Sequence, residues 1–278
     1  MTGLNPFDWT AGSFLTFYAL ALIGAIALGR VIVGTIRPEG RRAVPADIDE
    51  LAILAGGSRR LTESVVARLG ARGAAWVGED GIVLEPQETS ASEAERQITR
   101  LSSPAKWSAI RKCLAIVGEQ IEDRLIAREL LMSGGEARRL GLYGAVPMLL
   151  LIGVGLVRYA NGVALDRPVG LLTFLLLVTA LAALIRVFVV DRRTKAGLAV
   201  LADEQERSDR LRRAPTNDEM GTAVALYGTA VLVGSPLADF HGYRDKSSGD
   251  SGGGGCGGGG SSGDGGGGGG CGGGGCGG

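Results

Sequence analysis

The apolar stretch Ser13–Ile36 constrains this 278-residue chain more than any other feature. It carries no charge from Ser13 to Gly29, and its single arginine, Arg30, lies near one end. A helix of about 20 residues is about 30 Å long, which matches the hydrocarbon core of a bilayer. Because the backbone finds no water there, a single segment can satisfy its polar groups only as a helix. We therefore predict a membrane-spanning helix over residues 13–36.

Two further apolar stretches predict membrane-spanning helices over residues 140–160 and 168–190. None of the three stretches contains an acidic residue or a histidine, which argues against a proton or cation pathway. Basic residues flank one end of each stretch: Arg37, Arg41, Arg42, Arg138, Arg139, Arg192, Arg193 and Lys195. The positive-inside rule then places residues 1–12 and the loop 161–167 outside a bacterial inner membrane, with the C-terminus in the cytosol.

The charge balance and the histidine content exclude several functional classes. The chain has 29 basic and 29 acidic residues, so no overall field draws it to nucleic acid. Its single histidine, His241, excludes most histidine-dependent acid–base chemistry and most zinc sites. Ser64 and Ser133 have no recognisable base, and no phosphate-binding loop of the GxxxxGK[ST] type occurs. We predict no catalytic residue, no cofactor and no enzymatic activity.

The polar segment 37–139 predicts a small module with a helix, a second helix and a hairpin. Apolar residues at helical spacing end at Gly56-Gly57, and a second helix with Ser58 as its cap follows. Two short apolar runs around Asp80-Gly81 then predict a β-hairpin. The order resembles a winged helix, with these arginines on or near its recognition helix: Arg59, Arg60, Arg68 and Arg72. The segment holds 16 basic and 16 acidic residues, so a structural or protein-binding wing is favoured over nucleic-acid binding.

A long amphipathic helix is predicted after Pro104. Its narrow apolar stripe consists of Trp107, Ile110, Leu114, Val117, Ile121 and Leu125. This stripe could pack on the module or pair with a second copy of the chain, so a homo-oligomer remains open. Cys113 flanks the stripe and is interpreted as a small core residue, not a reactive thiol.

The segment 191–248 is predicted to be helical and cytosolic. Residues 191–219 carry seven charges of each sign and form a helix in this interpretation. The charge-free stretch Gly221–Ala238 is interrupted by glycine and threonine, and its roughly 18 residues only just reach spanning length. We favour a short helix packed on the module or on the membrane surface over a fourth span.

The last 30 residues, 249–278, contain 22 glycines, 3 serines, 2 aspartates and 3 cysteines. Without apolar side chains this tail cannot build a core, so we predict that it is disordered. Cys256, Cys271 and Cys276 allow three interpretations: incidental residues, acceptors of a covalent modification, or ligands of a soft metal or redox groups. The spacing Cys271 to Cys276 just fits a zinc pair, but without a nearby third ligand the metal site is a weak candidate.

Several sequence segments together resemble an uncharacterised family of bacterial membrane proteins with glycine/cysteine-rich C-termini. They are the opening LNPFDW and FLTFYALALIGAIAL, the later RTKAGLAVL and VALYGTAVLVG, and the tail. The resemblance covers nearly the whole chain and implies three spans around a winged-helix-like insert. The family's tail composition is similar to that of ribosomally made peptides that are modified after translation. The resemblance implies no catalytic residue.

The predicted fold class is therefore mainly α: a three-span helical membrane protein with a small winged-helix-like α+β cytosolic module and a disordered Gly/Cys-rich tail. The leading functional hypothesis is a non-enzymatic protein that resides in the lipid bilayer and presents the tail to a cytosolic partner, with a modifying enzyme as the candidate. One alternative is a membrane-tethered regulator whose module binds a protein or DNA. The other is soft-metal or redox binding by the tail thiols.

Overall fold

The computed structural model describes residues 11–85, 92–164, 169–235 and 237–249. Most of the described chain is helical, with one two-stranded sheet. The helices are α1 (Ala11–Ile36), α2 (Ile48–Ala71), α3 (Glu93–Thr99), α4 (Trp107–Cys113), α5 (Ala115–Ala127), α6 (Gly134–Ala164), α7 (Gly170–Phe188), α8 (Lys195–Arg207), α9 (Asp209–Arg213), α10 (Met220–Tyr227) and α11 (Ala238–Gly249). The strands are β1 (Ala75–Val77) and β2 (Ile82–Leu84). Residues 1–10, residues 165–168 with the last three positions of the predicted outer loop, and the tail after Gly249 lie outside the described residues, whereas residues 161–164 of that loop belong to α6.

Helices α1, α6 and α7 are each long and apolar enough to cross a membrane. Helix α6 has 31 residues and starts at Gly134, six positions before the predicted span. Its outward-facing residues, such as Leu150 at 69% exposure, are large and apolar, as lipid-facing residues must be. The inner faces of the three helices form one apolar cluster that includes Phe14, Tyr18, Met148 and Leu172. The prediction of three apolar helices of spanning length is confirmed.

The backbones of α1 and α6 approach each other closely at Gly29 and Gly144. A Cβ atom on Gly29 would overlap the carbonyl oxygen of Gly144, and one on Gly144 would lie 2.7 Å from Val33. The third helix joins at the same point, because Nη2 of Arg186 on α7 donates to the Gly29 carbonyl at 3.0 Å. Small residues allow such close packing between helices in a membrane, where no hydrophobic force drives helices together.

The polar part of the chain forms one helical domain, built from α2–α5, the hairpin and α8–α11. Its core combines residues from before and after the spans, with Val65 of α2 and Val224 of α10 both fully buried. The two sequence segments predicted separately, 37–139 and 191–248, therefore share a single hydrophobic core. Helix α10 is buried in that core, which confirms the short packed helix that we favoured over a fourth span.

Local structure in the helical domain follows the sequence signals closely. Helix α2 consists of two helical segments that meet at Gly56 and Gly57, which are both non-helical, and Gly57 has a φ of +68°. Only glycine adopts such a conformation without a steric penalty, so the predicted glycine stop is confirmed as a break. The hydroxyl of Ser58, predicted as a cap, donates to Glu122 Oε1 at 3.4 Å. The predicted hairpin is confirmed, with Trp76 paired to Val83.

The prediction of a single amphipathic helix after Pro104 is wrong in one respect. It is divided at Leu114 into α4 and α5. The residues of the predicted apolar stripe are all buried within the chain's own core: Trp107, Ile110, Leu114, Val117, Ile121 and Leu125. Leu114 lies between the two helices, and the apolar residues of both helices face the core of the helical domain. Of the two roles considered, packing on the module is the one that the contacts favour.

Three chain segments connect the spans to the helical domain and hydrogen-bond to one another, and we call this region the junction. It consists of residues 37–40 after α1, 129–132 before α6 and 190–196 after α7. On one side, Thr194 N donates to Leu130 O at 3.1 Å. On the other, Lys195 N donates to Pro38 O at 3.0 Å. The segment after α7 is therefore held between the two others, which fixes the domain against the ends of the spans.

Substituting Gly29 tests the helix contact. We expect Gly29→Val to lower the free energy of unfolding by about 1–3 kcal/mol or more, because the side chain would overlap the α6 backbone. Thermal unfolding in detergent, followed by tryptophan fluorescence, measures the change. Gly34→Val on the same helix is the matched control, since nothing lies within 4 Å of a Cβ atom there. Equal effects of both substitutions would contradict the close approach.

Candidate functional site

A cleft of about 960 Å³ lies between the ends of α1 and α7 and the helical domain. Its lining contains six arginines: Arg37, Arg59, Arg60, Arg186, Arg193 and Arg244. It also contains two carboxylates, Glu63 and Asp191, and the histidine His241. With a neutral histidine, the described lining carries an excess of four positive charges. We call this cavity the arginine cleft.

The helix break in α2 explains the position of Arg193. Carbonyl groups at the end of a helix lack intrahelical partners and attract cationic side chains. The guanidinium of Arg193 donates from Nε to Leu54 O at 2.7 Å and from Nη2 to Ala55 O, directly before the glycine break. Its own carbonyl accepts a hydrogen bond from Arg37 Nη1 at 2.9 Å. Arg193 therefore ties the end of α7 to the middle of α2.

Glu63 is the acidic centre of the domain side of the cleft. It is 4% exposed, and three arginines lie against its carboxylate. The nitrogen–oxygen distances are 3.2 Å to Arg59, 3.6 Å to Arg60 and 2.9 Å to Arg244. Burial lowers the pKa of the Arg60 guanidinium, and the charge of Glu63 opposes that shift. One carboxylate thus compensates part of the charge of three cations.

On the side of the cleft that the ends of α1 and α7 form, the described arginines again outnumber the carboxylates. Asp191 lies 3.7 Å from Arg37 and 3.8 Å from Arg193, so two cations share one carboxylate that is partly exposed. Arg186, in the last turn of α7, donates to a backbone carbonyl of α1. Because arginine is charged at neutral pH, the described lining of the cleft has a positive electrostatic potential.

His241 lies in the lining of the cleft, where it contacts Thr229. Its Nδ1 is 3.0 Å from Thr229 Oγ1, and the same oxygen accepts a hydrogen bond from Arg244 Nη1 at 2.7 Å. Thr229 Oγ1 therefore links Arg244 to the imidazole of His241. This arrangement orients the imidazole and adds a further polar group to the cleft. His241 is half-buried.

Of the four cysteines considered from the sequence, the structure describes Cys113, which does not belong to the lining of this cleft. Cys256, Cys271 and Cys276 lie beyond the described residues. Cys113 is half-buried and donates to the Gln97 carbonyl at 3.3 Å, and burial raises the pKa of its thiol. A raised pKa keeps the thiol protonated at neutral pH, in agreement with the prediction of a packing residue. Within the described ranges, no group of three His, Cys, Asp or Glu residues could hold a metal ion.

The two serines that we considered as nucleophiles in the sequence make contacts that stabilise the fold. Ser64 is buried, and its hydroxyl donates to Gly221 O at 2.9 Å, which joins α2 to α10. Ser133 and Glu136 exchange hydrogen bonds at the start of α6, in the pattern of a capping box. The Ser133 hydroxyl itself donates to Glu136 Oε2 at 2.9 Å.

Sequence reasoning did not identify the arginine cleft. A signal was present in the basic residues that follow α1 and α7, but the positive-inside rule explained them as markers of orientation. The partners on the domain side, from Arg59 to Arg244, are separated by up to 185 positions and meet only through the packing of α2, α10 and α11.

In comparisons with known proteins, no family model, no curated protein and no solved structure matches the chain.

Removing the charge of Glu63 tests the electrostatics of the cleft. We expect Glu63→Gln to destabilise the protein by about 3 kcal/mol, because three arginines would lose a buried counter-charge. Thermal unfolding in detergent measures this loss. Glu93→Gln removes the charge of an exposed carboxylate on α3 and should leave the unfolding temperature unchanged. An unchanged stability of Glu63→Gln would contradict the central role of this carboxylate.

Proposed function

We propose that this protein is a non-enzymatic, three-span protein of the bacterial cytoplasmic membrane that presents its Gly/Cys-rich tail to a cytosolic partner. In this proposal the N-terminus is outside and the helical domain and the tail are in the cytosol. Cys256, Cys271 and Cys276 are the acceptor residues if the partner is a modifying enzyme.

The observation that carries the proposal is the attachment of the last described helix to the helical domain. Phe240 on α11 is 6% exposed and belongs to the same core as α2. The chain enters the tail directly after this helix, so the tail starts from a domain that the junction holds at the ends of the spans. A glycine-rich chain is flexible and offers its thiols with little steric hindrance.

The distribution of arginines supports the proposed orientation. Arg37, Arg186 and Arg193 lie on the side of the helical domain, together with the basic residues before α6. At the opposite ends, Arg158 lies over the ring of Phe14 at 5.2 Å, and few other basic residues occur there. The positive-inside rule assigns the richer side to the cytosol. A reducing compartment would keep the tail thiols free of disulfides.

Cysteine labelling with a membrane-impermeant maleimide tests the orientation. In the Cys113→Ala background, we expect the tail cysteines to remain unlabelled in intact spheroplasts and to react after lysis. Asn161→Cys, at the opposite end of α6 and in a chain without other cysteines, is the matched control and should react in intact spheroplasts. Labelling of the tail before lysis would reverse the orientation and remove the cytosolic partner.

The intact mass of the native chain tests the presentation hypothesis itself. A mass increase that maps to Cys256, Cys271 or Cys276 would support a modifying enzyme as the partner. Bound metal that is lost on alkylation of these thiols would instead support the alternative of soft-metal binding. Unmodified, metal-free thiols in cells that carry the full set of neighbouring genes would contradict both.

The alternative of a membrane-tethered regulator draws support from the order of α2 and the hairpin, which a winged helix shares. Trp76 on β1 is 43% exposed, and an exposed aromatic residue on a wing suits a protein contact. Nucleic acid is not favoured, because the arginines of the would-be recognition helix contact acidic side chains. The described pairs are Arg59 and Arg60 with Glu63, Arg68 with Asp49 and Glu95, and Arg72 with Glu95.

DNA binding by the full chain in an uncharged detergent distinguishes these roles. The full chain is required because residues after α7 complete the domain core. We expect no saturable binding to duplex DNA at low salt, since Arg68 and Arg72 cannot contact DNA phosphates without losing their buried partners Asp49 and Glu95. Tight binding that weakens steeply between low and high salt would instead support a nucleic-acid reader.

A further inference from the structure

In the described lining of the arginine cleft, six arginines accompany two carboxylates. Three arginines share Glu63, two share Asp191, and Arg186 contacts a backbone carbonyl. Concentrating cations in a partly buried space is unfavourable, because they repel one another and lose hydration. Such an arrangement is stabilised when an anion occupies the space between the cations.

The cleft also has apolar lining residues beside its arginines. Where it meets the last turns of two spans, Val33 of α1 and Phe188 of α7 lie close to Arg37 and Arg186 in the lining. Phe188 is 74% exposed, so an apolar surface continues from the cleft along the outside of the spans. On the other side, Arg59, Arg60 and His241 belong to the helical domain. A ligand with an anionic head and an apolar body matches this lining.

The position of the cleft matches the depth of lipid head groups. Helices α1 and α7 end at Ile36 and Phe188, so in a membrane the surrounding level is the interface between hydrocarbon and water. Guanidinium groups recognise phosphate through two parallel hydrogen bonds, and basic pockets at the ends of spans bind anionic head groups. The volume of about 960 Å³ is ample for a phosphate-bearing head group.

We propose that the arginine cleft binds a phosphate group, and that its source is the head group of an anionic phospholipid. Bound lipid would bridge α7 and the helical domain, with its phosphate between the arginines of the two sides. This site is separate from the tail and holds whether or not the tail is modified. It therefore goes beyond the proposed presentation function.

The test compares lipids with the same acyl chains on the full chain in an uncharged detergent, by native mass spectrometry. We expect phosphatidylglycerol to bind at least about tenfold more tightly than phosphatidylcholine, because the zwitterionic head group has no net charge. The variant Arg59→Gln with Arg60→Gln should lose this preference by about tenfold or more. The unfolding temperature without lipid shows whether the variant is folded, and if it is not, Arg59→Gln alone is used, since Arg59 is half-exposed.

The matched control is Arg138→Gln with Arg139→Gln, which removes two exposed arginines at the domain-side end of α6 and outside the cleft. It should keep the preference for phosphatidylglycerol. Equal losses in both variants would overturn the proposal, because they would indicate a general surface charge. The proposal would also be overturned if the wild-type chain bound the two lipids equally and did not bind phosphate.

Inorganic phosphate distinguishes the two sources of the anion. If millimolar phosphate does not displace phosphatidylglycerol, the lipid assignment is supported. If phosphate alone stabilises the wild-type chain against thermal unfolding and the cleft variant does not respond, the cleft binds phosphate, but the assignment to a lipid is overturned.

Discussion

The structure depends on the hydrogen bonds that join the three connecting segments at the junction. The segment after α7 lies between the segments before α6 and after α1. It exchanges backbone hydrogen bonds with the first and donates two to the second. Backbone groups near a membrane interface must find partners, and here each connection supplies partners for the next. The junction therefore turns three separate linkers into one rigid connection, and the helical domain is fixed relative to the spans.

The arginine cleft follows from this rigid connection. Arg193 belongs to the junction, yet its guanidinium satisfies the carbonyls that the break in α2 leaves open. Arg37 in turn donates to the carbonyl of Arg193. Because these cations are held by backbone groups, they stay in place although few carboxylates neutralise them. A preorganised set of cations loses little entropy when an anion binds, which is the reason that we place a ligand there.

Much of the local structure could be predicted from the sequence, because local signals determine it. Apolar length predicted α1, α6 and α7, the glycine pair predicted the break in α2, and Asp80-Gly81 predicted the hairpin. The features that were missed depend on contacts between distant residues. The predicted long helix is divided at Leu114, and α4 and α5 each pack against the core. No local residue pattern indicates this division.

The same limit applies to the candidate site. Buried acidic residues such as Glu50 and Glu63 look like ordinary surface charges in the sequence, and only the packing of α2 shows that each holds arginines from elsewhere. The equal numbers of basic and acidic residues describe the whole chain. They do not indicate that the lining of one cleft has an excess of arginines. The described arginines of α2 were considered as a nucleic-acid surface, whereas they contact acids within the domain.

The shared core of the helical domain also constrains the order of events on the ribosome. Ser64 of α2 and Gly221 of α10 are 157 positions apart, and the intervening chain includes two of the three apolar helices. Helix α2 thus emerges early but acquires its main packing partner only after α7 has been synthesised and inserted. During that interval α2 can pack against α3, α4, α5 and the hairpin, but the part of its surface that α10 covers stays exposed until α7 has been synthesised.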